Sequence, residues 1–158
     1  MIQKTCINTG EKAKDFSLSD QNKNKFILSK HKGKKILLSF HPLAWTPVCA
    51  QQMKSLEDKL EVFEQLQTIA VGVSIDSVPS KKAWAKTLNI THTQLLCDFW
   101  PHGGVAQQLG IFRDEGFSER ANIIIDEQGV VEYIQIYPIS QLPDINEIIT
   151  VLKTMSVK

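Results

Sequence analysis

The sequence predicts an α/β fold in one domain, with a central mixed β-sheet that carries helices on both faces. The chain has 158 residues, which is an ordinary length for one domain. Short apolar runs of strand length alternate with helical patterns early in the chain, and two strands joined by a turn follow late. Since no linker or internal repeat divides the sequence, we expect a single domain over residues 1–158.

The first half of the chain predicts a β-hairpin followed by a strand–helix–strand unit. Residues 16–19 and 26–28 flank a polar turn, which is typical of a hairpin. Residues 35–40 form an apolar run that ends at a His-Pro pair, as a buried strand stopped by proline does. Residues 68–75 have strand composition again. Between these strands, residues 47–66 have the apolar stripe of a helix at Met53, Leu56, Leu60 and Phe63.

The second half of the chain adds three helices and three strands. In order, the sequence predicts a helix at 80–88, a strand at 94–97, a short helix at 105–109, strands at 121–125 and 130–137, and a helix at 144–155. An Asp-Glu-Gln-Gly turn joins the last two strands. The last helix is amphipathic. A thioredoxin-like sandwich with an N-terminal hairpin is the compact fold that fits this order of elements.

Composition and charge exclude several classes of protein. Hydrophobic residues make up 42% and charged residues 22% of the chain, which is ordinary for a globular protein and excludes a disordered one. The apolar runs are far shorter than the about 18 residues that would cross a bilayer, and residues 1–14 lack the apolar segment of a secretory signal. We therefore expect a cytoplasmic protein without a membrane partner. The net charge of +1 gives no reason to expect nucleic acid as a partner.

The cysteines and histidines do not indicate a disulfide scaffold or a metal site. There are three cysteines, an odd number without a C-x-x-C pair, which argues against a disulfide framework and against a dithiol oxidoreductase. The four histidines have no ligand spacing to each other or to a cysteine, so no metal is expected. No glycine-rich phosphate-binding motif occurs, and we expect no cofactor.

One segment indicates reactive chemistry, namely His-Pro-Leu-Ala-Trp-Thr-Pro-Val-Cys at positions 41–49. Thr46 is a good N-cap and Pro47 suits the first helical position, so Cys49 takes the third. The N-terminal end of a helix is partly positive, and residues 21–56 contain lysines but no acidic residue. A half-sheltered cysteine there is expected to ionise more readily than a free one, and the thiolate is the reactive form. On this segment alone, an inert packing cysteine remains the alternative.

His41 is a candidate base for Cys49, as in cysteine hydrolases. Nothing in the sequence orients its ring toward the thiol, however, so a polar residue at a strand end is the favoured interpretation.

The spacing Pro42-x-x-x-Thr46-x-x-Cys49 resembles the signature of the peroxiredoxins. Further matches follow in the same order along the chain. They are Lys-Gly-Lys-Lys at 32–35, Asp-Phe-Trp-Pro-His-Gly at 98–103, and Arg120 just before Asn-Ile-Ile-Ile-Asp at 122–126. The resemblance covers nearly the whole chain, and the segment at 98–103 is similar to the one-cysteine subgroup called the alkyl hydroperoxide reductase E type.

This resemblance implies a thioredoxin-like fold without metal or haem, and a peroxidase that reduces hydrogen peroxide and small organic hydroperoxides. By matching position, Cys49 is the peroxidatic cysteine, whose thiolate attacks the peroxide and becomes sulfenic acid. The hydroxyl of Thr46 holds the peroxide, Pro42 shields the pocket, and Arg120 stabilises the thiolate and the developing charge. The resemblance also implies a homodimer and re-reduction by a thiol donor, such as thioredoxin or another small redox protein.

Two positions depart from the family pattern. Gln52 stands where relatives often have a glutamate that holds the active-site arginine, so it either weakens the positioning of Arg120 or leaves Arg120 more available. Cys97 stands where relatives commonly have serine. It is either a buried strand-end cysteine or a resolving cysteine, whose disulfide with Cys49 needs Cα atoms within about 7 Å. These departures leave open a redox sensor that passes oxidation to a partner and turns over poorly.

Overall fold

The computed structural model describes residues 5–156, which form a seven-stranded sheet with helices on both faces. No helix among these residues is long and apolar enough to cross a membrane. The strands are β1 (Ser17–Ser19), β2 (Lys25–Ile27), β3 (Lys35–Phe40), β4 (Thr68–Ser74), β5 (Gln94–Cys97), β6 (Arg120–Ile125) and β7 (Val131–Tyr137). The helices are α1 (Pro47–Asp58), α2 (Leu60–Gln65), α3 (Val78–Leu88), α4 (Gly104–Gln108) and α5 (Ile145–Ser156).

The sheet is mixed, in the order β2-β1-β5-β4-β3-β6-β7, as the predicted α/β class requires. Strands β3, β4 and β5 run parallel, so their carboxyl ends lie at one edge of the sheet. Strand β6 is antiparallel to β3 and therefore begins at that same edge. This topology brings the segment after β3 close to Arg120, the first residue of β6, although the two are far apart in sequence.

The central strands separate two hydrophobic clusters because successive side chains of a strand point to opposite faces. Leu38 and Phe40 of β3 pack on the face that carries α4 and the hairpin. Leu37 packs on the opposite face with side chains of α1, α2, α3 and α5. Every residue of β3 is buried, which explains why the run lacks a polar alternation. Ser39 of β3 accepts a hydrogen bond from Gln52 of α1 and so supports the site described below.

The predicted elements all occur, but the prediction of one long helix over residues 47–66 is wrong in one respect. It is divided into α1 and α2 at Lys59, whose backbone leaves the helical conformation (φ −105°, ψ 17°). The amide of Lys59 donates to the carbonyl of Leu56, a tighter turn than an α-helix has. The side chains of α2 therefore do not continue the apolar stripe of α1. Phe63 is fully buried, whereas Leu60 is only partly buried.

Candidate active site

The start of α1 positions Cys49 at the third helical residue, as the Thr-Pro pair predicts. Thr46 occupies the N-cap position with an extended backbone, but its side chain does not cap the helix. This part of the prediction is wrong, because the Thr46 hydroxyl donates to the carbonyl of Leu43 at 2.8 Å instead. Trp45 has a left-handed backbone (φ 70°), which folds the loop back and brings that carbonyl to the hydroxyl.

The thiol of Cys49 is buried and lies against a guanidinium group. Its side chain is 1% exposed, so it is more sheltered than the sequence indicates, because it faces the sheet at the top of the core stripe of α1. Nη1 of Arg120 donates to Sγ of Cys49 at 3.3 Å. A cation at this distance and the partial positive charge of the helix start both favour a negative charge on the sulfur.

Two neutral groups hold Arg120 in place beside the sulfur. Its Nε donates to the carbonyl of Ile139 at 2.9 Å, and its Nη1 donates to Oε1 of Gln52 at 2.8 Å. The amide nitrogen of Gln52 in turn donates to Oγ of Ser39 at 2.7 Å and to the carbonyl of Phe40 at 3.1 Å. Gln52 thus fixes the position of Arg120 without neutralising it.

The charge of Arg120 remains available to the sulfur. In the described part of the chain, no carboxylate lies within ion-pair distance of this guanidinium. Arg120 is also only 3% exposed, so little water competes for its charge. Of the two interpretations of Gln52, the structure supports the one in which Arg120 is more available.

A cavity of about 260 Å³ opens beside the sulfur. Its lining includes all four residues that the sequence singles out as catalytic, namely Pro42, Thr46, Cys49 and Arg120. The remaining lining is apolar and consists of Leu43, Pro47, Val48, Phe117 and Ile139. The cavity therefore presents one thiol, one hydroxyl and one guanidinium on an otherwise apolar wall. Within residues 5–156, no His, Cys, Asp or Glu side chains form a group of three or more suited to a metal ion.

Sequence reasoning missed a buried pair beside this site, formed by His41 and Lys81. Nε2 of His41 lies 2.7 Å from Nζ of Lys81, and burial lowers the pKa of His41 well below its ordinary value. The imidazole of His41 thus contacts Lys81, and no hydrogen bond joins this imidazole to Cys49. A signal was present in the sequence: Lys81 precedes Trp84 by three residues, the spacing that places both on the buried face of α3.

The second buried thiol, Cys97, has a different environment. It ends β5 with 6% exposure, and its Sγ has only a weak contact of 3.9 Å with the carbonyl of Leu95. Burial raises its pKa to about 11, although the nearby charge of Lys81 acts in the opposite direction. Cys49 and Cys97 are both free. Cys97 ends β5 and Cys49 lies in the first turn of α1, which follows β3, and β4 separates β5 from β3 in the sheet.

A family model and individual relatives of known sequence indicate the same protein family. Residues 9–134 match the AhpC/TSA family. The chain is 37% identical to alkyl hydroperoxide reductase E of Mycobacterium tuberculosis over 131 residues, which cover 82% of this chain and 85% of the relative. It is also 32% identical to a peroxiredoxin of Ignicoccus hospitalis, with 94% of this chain and 65% of that protein covered.

Solved structures show the same fold. The reduced 2-Cys peroxiredoxin of Plasmodium vivax superposes with a TM-score of 0.88 at 24% identity, covering 94% of this chain and 82% of the other. Peroxidoxin BcpB of Mycobacterium tuberculosis superposes with a TM-score of 0.81 at 25% identity, covering 93% and 97%. The predicted thioredoxin-like fold is thereby confirmed. With the family match over most of its length, the chain belongs to the AhpC/TSA family of peroxiredoxins and is a thiol-dependent peroxidase.

Proposed function

We propose that Cys49 is the peroxidatic residue and that it reduces hydrogen peroxide and small organic hydroperoxides. The observation that carries this proposal is the 3.3 Å contact between Nη1 of Arg120 and Sγ of Cys49 at the start of α1. A thiolate is the nucleophilic form of cysteine, and both the helix start and the guanidinium favour it. The small apolar cavity beside the sulfur suits a small hydroperoxide.

In the reaction, Sγ of Cys49 attacks one oxygen of the hydroperoxide. The S–O bond forms as the O–O bond breaks, and the attacked oxygen keeps its hydrogen, so Cys49 becomes a sulfenic acid. The leaving oxygen takes a proton from solvent and departs as water or an alcohol. The only proton of the Thr46 hydroxyl is donated to Leu43, so this oxygen accepts a hydrogen bond from the O–H of the peroxide. Arg120 stabilises the charge that develops on the departing oxygen, and Pro42 forms part of the apolar wall.

The cycle closes with an external thiol. A donor thiolate attacks the sulfenic sulfur, water leaves, and a second thiol releases Cys49 from the mixed disulfide. We propose thioredoxin or another small redox protein as this donor. We favour a one-cysteine cycle because burial raises the pKa of Cys97 to about 11, so this thiol stays protonated at neutral pH. A reducing compartment supplies such donors, and we therefore propose a cytoplasmic location for a single-domain protein of residues 1–158.

We also propose that the protein is a homodimer. The residues that follow β3 and β5 leave large aromatic side chains exposed at the carboxyl edge of the parallel strands: Trp45, Phe99 and Trp100. Exposed aromatic groups of this size are typical of interaction surfaces. Sedimentation velocity of the wild type and of Trp100→Glu tests this proposal. A dimer that dissociates in the variant supports the interface, whereas a monomeric wild type contradicts it.

Turnover with a thiol donor tests the peroxidase function. The purified protein is mixed with hydrogen peroxide and a thioredoxin, thioredoxin reductase and NADPH system, and both NADPH oxidation and peroxide loss are followed. We expect many turnovers per protein molecule. Consumption of one equivalent of peroxide followed by arrest supports the redox sensor instead, and a protein that consumes none contradicts the proposal.

A further inference from the structure

One wall of the active-site cavity is formed by a loop. Among the described residues that line the cavity, Phe117 is the one aromatic side chain, and it lies in the loop between α4 and β6. It comes three residues before Arg120, and its side chain is partly buried. The chemical steps proposed above use Cys49, Thr46 and Arg120 but not this ring. Its place beside the reacting sulfur therefore needs an explanation of its own.

The loop that carries Phe117 is folded tightly on itself over residues 112–118, here called the 112–118 turn. The two ends of the turn pair as an antiparallel bridge, and the backbone amide of Arg113 donates to the carbonyl of Phe117 at 2.8 Å. Gly116 has a left-handed backbone (φ 96°), which glycine adopts readily. The guanidinium of Arg113 lies 5.8 Å from the centre of the Phe117 ring. The position of this ring thus depends on the position of the whole turn.

A second segment, residues 98–103, holds the 112–118 turn from outside. Nε2 of His102 lies 2.7 Å from the carbonyl oxygen of Gly116, and because a carbonyl only accepts, Nε2 is the donor. The His102 ring also meets the Phe112 ring edge-on, with 5.6 Å between the centroids. Gly103 lies so close to the Phe112 ring that no Cβ would fit at this position. The hydrogen bond from His102 therefore fixes the residue that directly precedes the cavity-lining ring.

The supporting segment is itself anchored to the fold. The carboxyl group of Asp98, which directly follows β5, is buried and accepts hydrogen bonds from the backbone amides of Val105 and Ala106 at 3.0 Å each. The amide of Gly103 donates to the carbonyl of Asp98 at 2.9 Å. The end of β5 is thereby joined to the start of α4, and His102 projects from a closed and well-supported loop.

The chemistry of the substrate indicates what the Phe117 ring contacts. In a hydroperoxide the attacked oxygen carries a hydrogen, and any organic group is bonded to the other oxygen. Thr46 and Arg120 provide the polar contacts for the two oxygens, so an organic group has only the apolar part of the cavity to occupy. Contact between apolar surfaces in water is favourable. Hydrogen peroxide has no organic group and does not gain this contact.

We propose that Phe117 is a specificity-determining residue that binds the organic group of a hydroperoxide, and that His102 is a positioning residue that holds Phe117 in place. This inference rests on the proposed role of Cys49. Arg120 and Thr46 act on the O–O group that all hydroperoxides share, whereas Phe117 acts on the part in which they differ. His102 makes no contact with the substrate and acts through Gly116.

The test is the ratio of two second-order rate constants, one for cumene hydroperoxide and one for hydrogen peroxide, measured by stopped-flow tryptophan fluorescence. In Phe117→Ala we expect this ratio to fall by about tenfold, because apolar contact with the organic group is lost. In His102→Ala we expect a fall of about threefold, because one hydrogen bond is lost while the ring remains. His102→Gln, whose side-chain amide can donate to the same carbonyl, restores the ratio. His92→Ala, which removes an exposed histidine outside the cavity lining, leaves it unchanged.

A ratio distinguishes this role from damage to the fold, because a damaged fold lowers both rate constants together. If the ratio in Phe117→Ala is unchanged or rises, the ring does not bind the organic group and the inference is overturned. If the ratio falls in Phe117→Ala but not in His102→Ala, the positioning role of His102 is overturned. A wild-type protein that consumes neither peroxide contradicts the proposed function itself, so these failures are distinct.

Discussion

The two buried cysteines have almost the same solvent exposure but opposite chemical environments. Cys49 is 1% and Cys97 is 6% exposed. Cys49 lies at a helix start, 3.3 Å from a guanidinium nitrogen and beside a cavity. Cys97 lies at a strand end, where burial raises its pKa to about 11. Burial alone therefore makes a thiol inert, and only donors directed at the sulfur make a buried thiol reactive.

The backbone explains much of this difference. The first turn of a helix has amide groups without partners inside the helix, and these point toward the N-terminal end where Cys49 lies. At the end of β5, the backbone amide of Asp98 donates to the carbonyl of Ser74 at 2.7 Å. This amide is therefore not available to Cys97, and the Lys81 charge only partly offsets the burial of the thiol.

The largest expected effect comes from replacing each cysteine in turn. We expect Cys49→Ser to lower peroxide consumption by about a thousandfold or more, because a hydroxyl is a far weaker nucleophile than a thiolate. Cys97→Ser stays within about twofold of the wild type, since its thiol remains protonated at neutral pH. Peroxide loss under identical conditions measures both. Loss of turnover in both variants indicates a two-cysteine mechanism, and full activity in Cys49→Ser contradicts the site.

Replacement of Arg120 tests the donor that distinguishes the two thiols. We expect Arg120→Met to lower the second-order rate constant with hydrogen peroxide by about a hundredfold, as loss of one preorganised donor does in other enzymes. Arg113→Met is the matched control, because Arg113 pairs with Glu115 and Glu119 and does not itself line the cavity, although its guanidinium lies 5.8 Å from the ring of the lining residue Phe117. Stopped-flow tryptophan fluorescence measures the rate. Equal effects of the two substitutions are inconsistent with a specific role for Arg120.

The smallest effect concerns the stability that Cys97 contributes at alkaline pH. Its pKa is raised from 9.0 in the unfolded chain to about 11 in the fold. Between these values the unfolded chain binds fewer protons than the folded one, so the free energy of unfolding falls as the pH rises. Across this pH range, we expect the free energy of unfolding of the wild type to fall by an amount on the order of 1 kcal/mol more than that of Cys97→Ala. Urea unfolding of both proteins at several pH values measures this difference. If the free energies of unfolding of the two proteins change in parallel with pH, the prediction is contradicted.

Local signals in the sequence predicted the parts of the site that depend on neighbouring residues. The Thr46–Pro47 pair placed the helix start, and with it Cys49 at the third position. Apolar runs and turn residues located the seven strands and the α-helices, with α1 and α2 predicted as one, because burial on one face imposes its period on the sequence. The 3-10 helix Leu28–His31 was not predicted. The division of the long helix at Lys59 was missed, since no Gly or Pro marks it.

The contacts between distant segments were not predictable from local patterns. Arg120 lies 71 residues from Cys49, and only the family resemblance singled it out. His41 and Lys81 are 40 residues apart, and nothing in either segment identifies the other as its partner. The hydrogen bond of Thr46 was missed for a related reason, because the left-handed backbone of Trp45 that directs it occurs without a glycine.

Trapping of the first oxidation product tests most directly whether Cys49 is the reactive thiol and Cys97 the unreactive one. The wild-type protein is treated with one equivalent of hydrogen peroxide in the presence of dimedone, which reacts with sulfenic acids, and the intact mass and peptide masses are then measured. We predict one dimedone adduct per chain, located on the peptide that contains Cys49, with Cys97 unmodified. An adduct on Cys97 while Cys49 remains a free thiol would contradict the account.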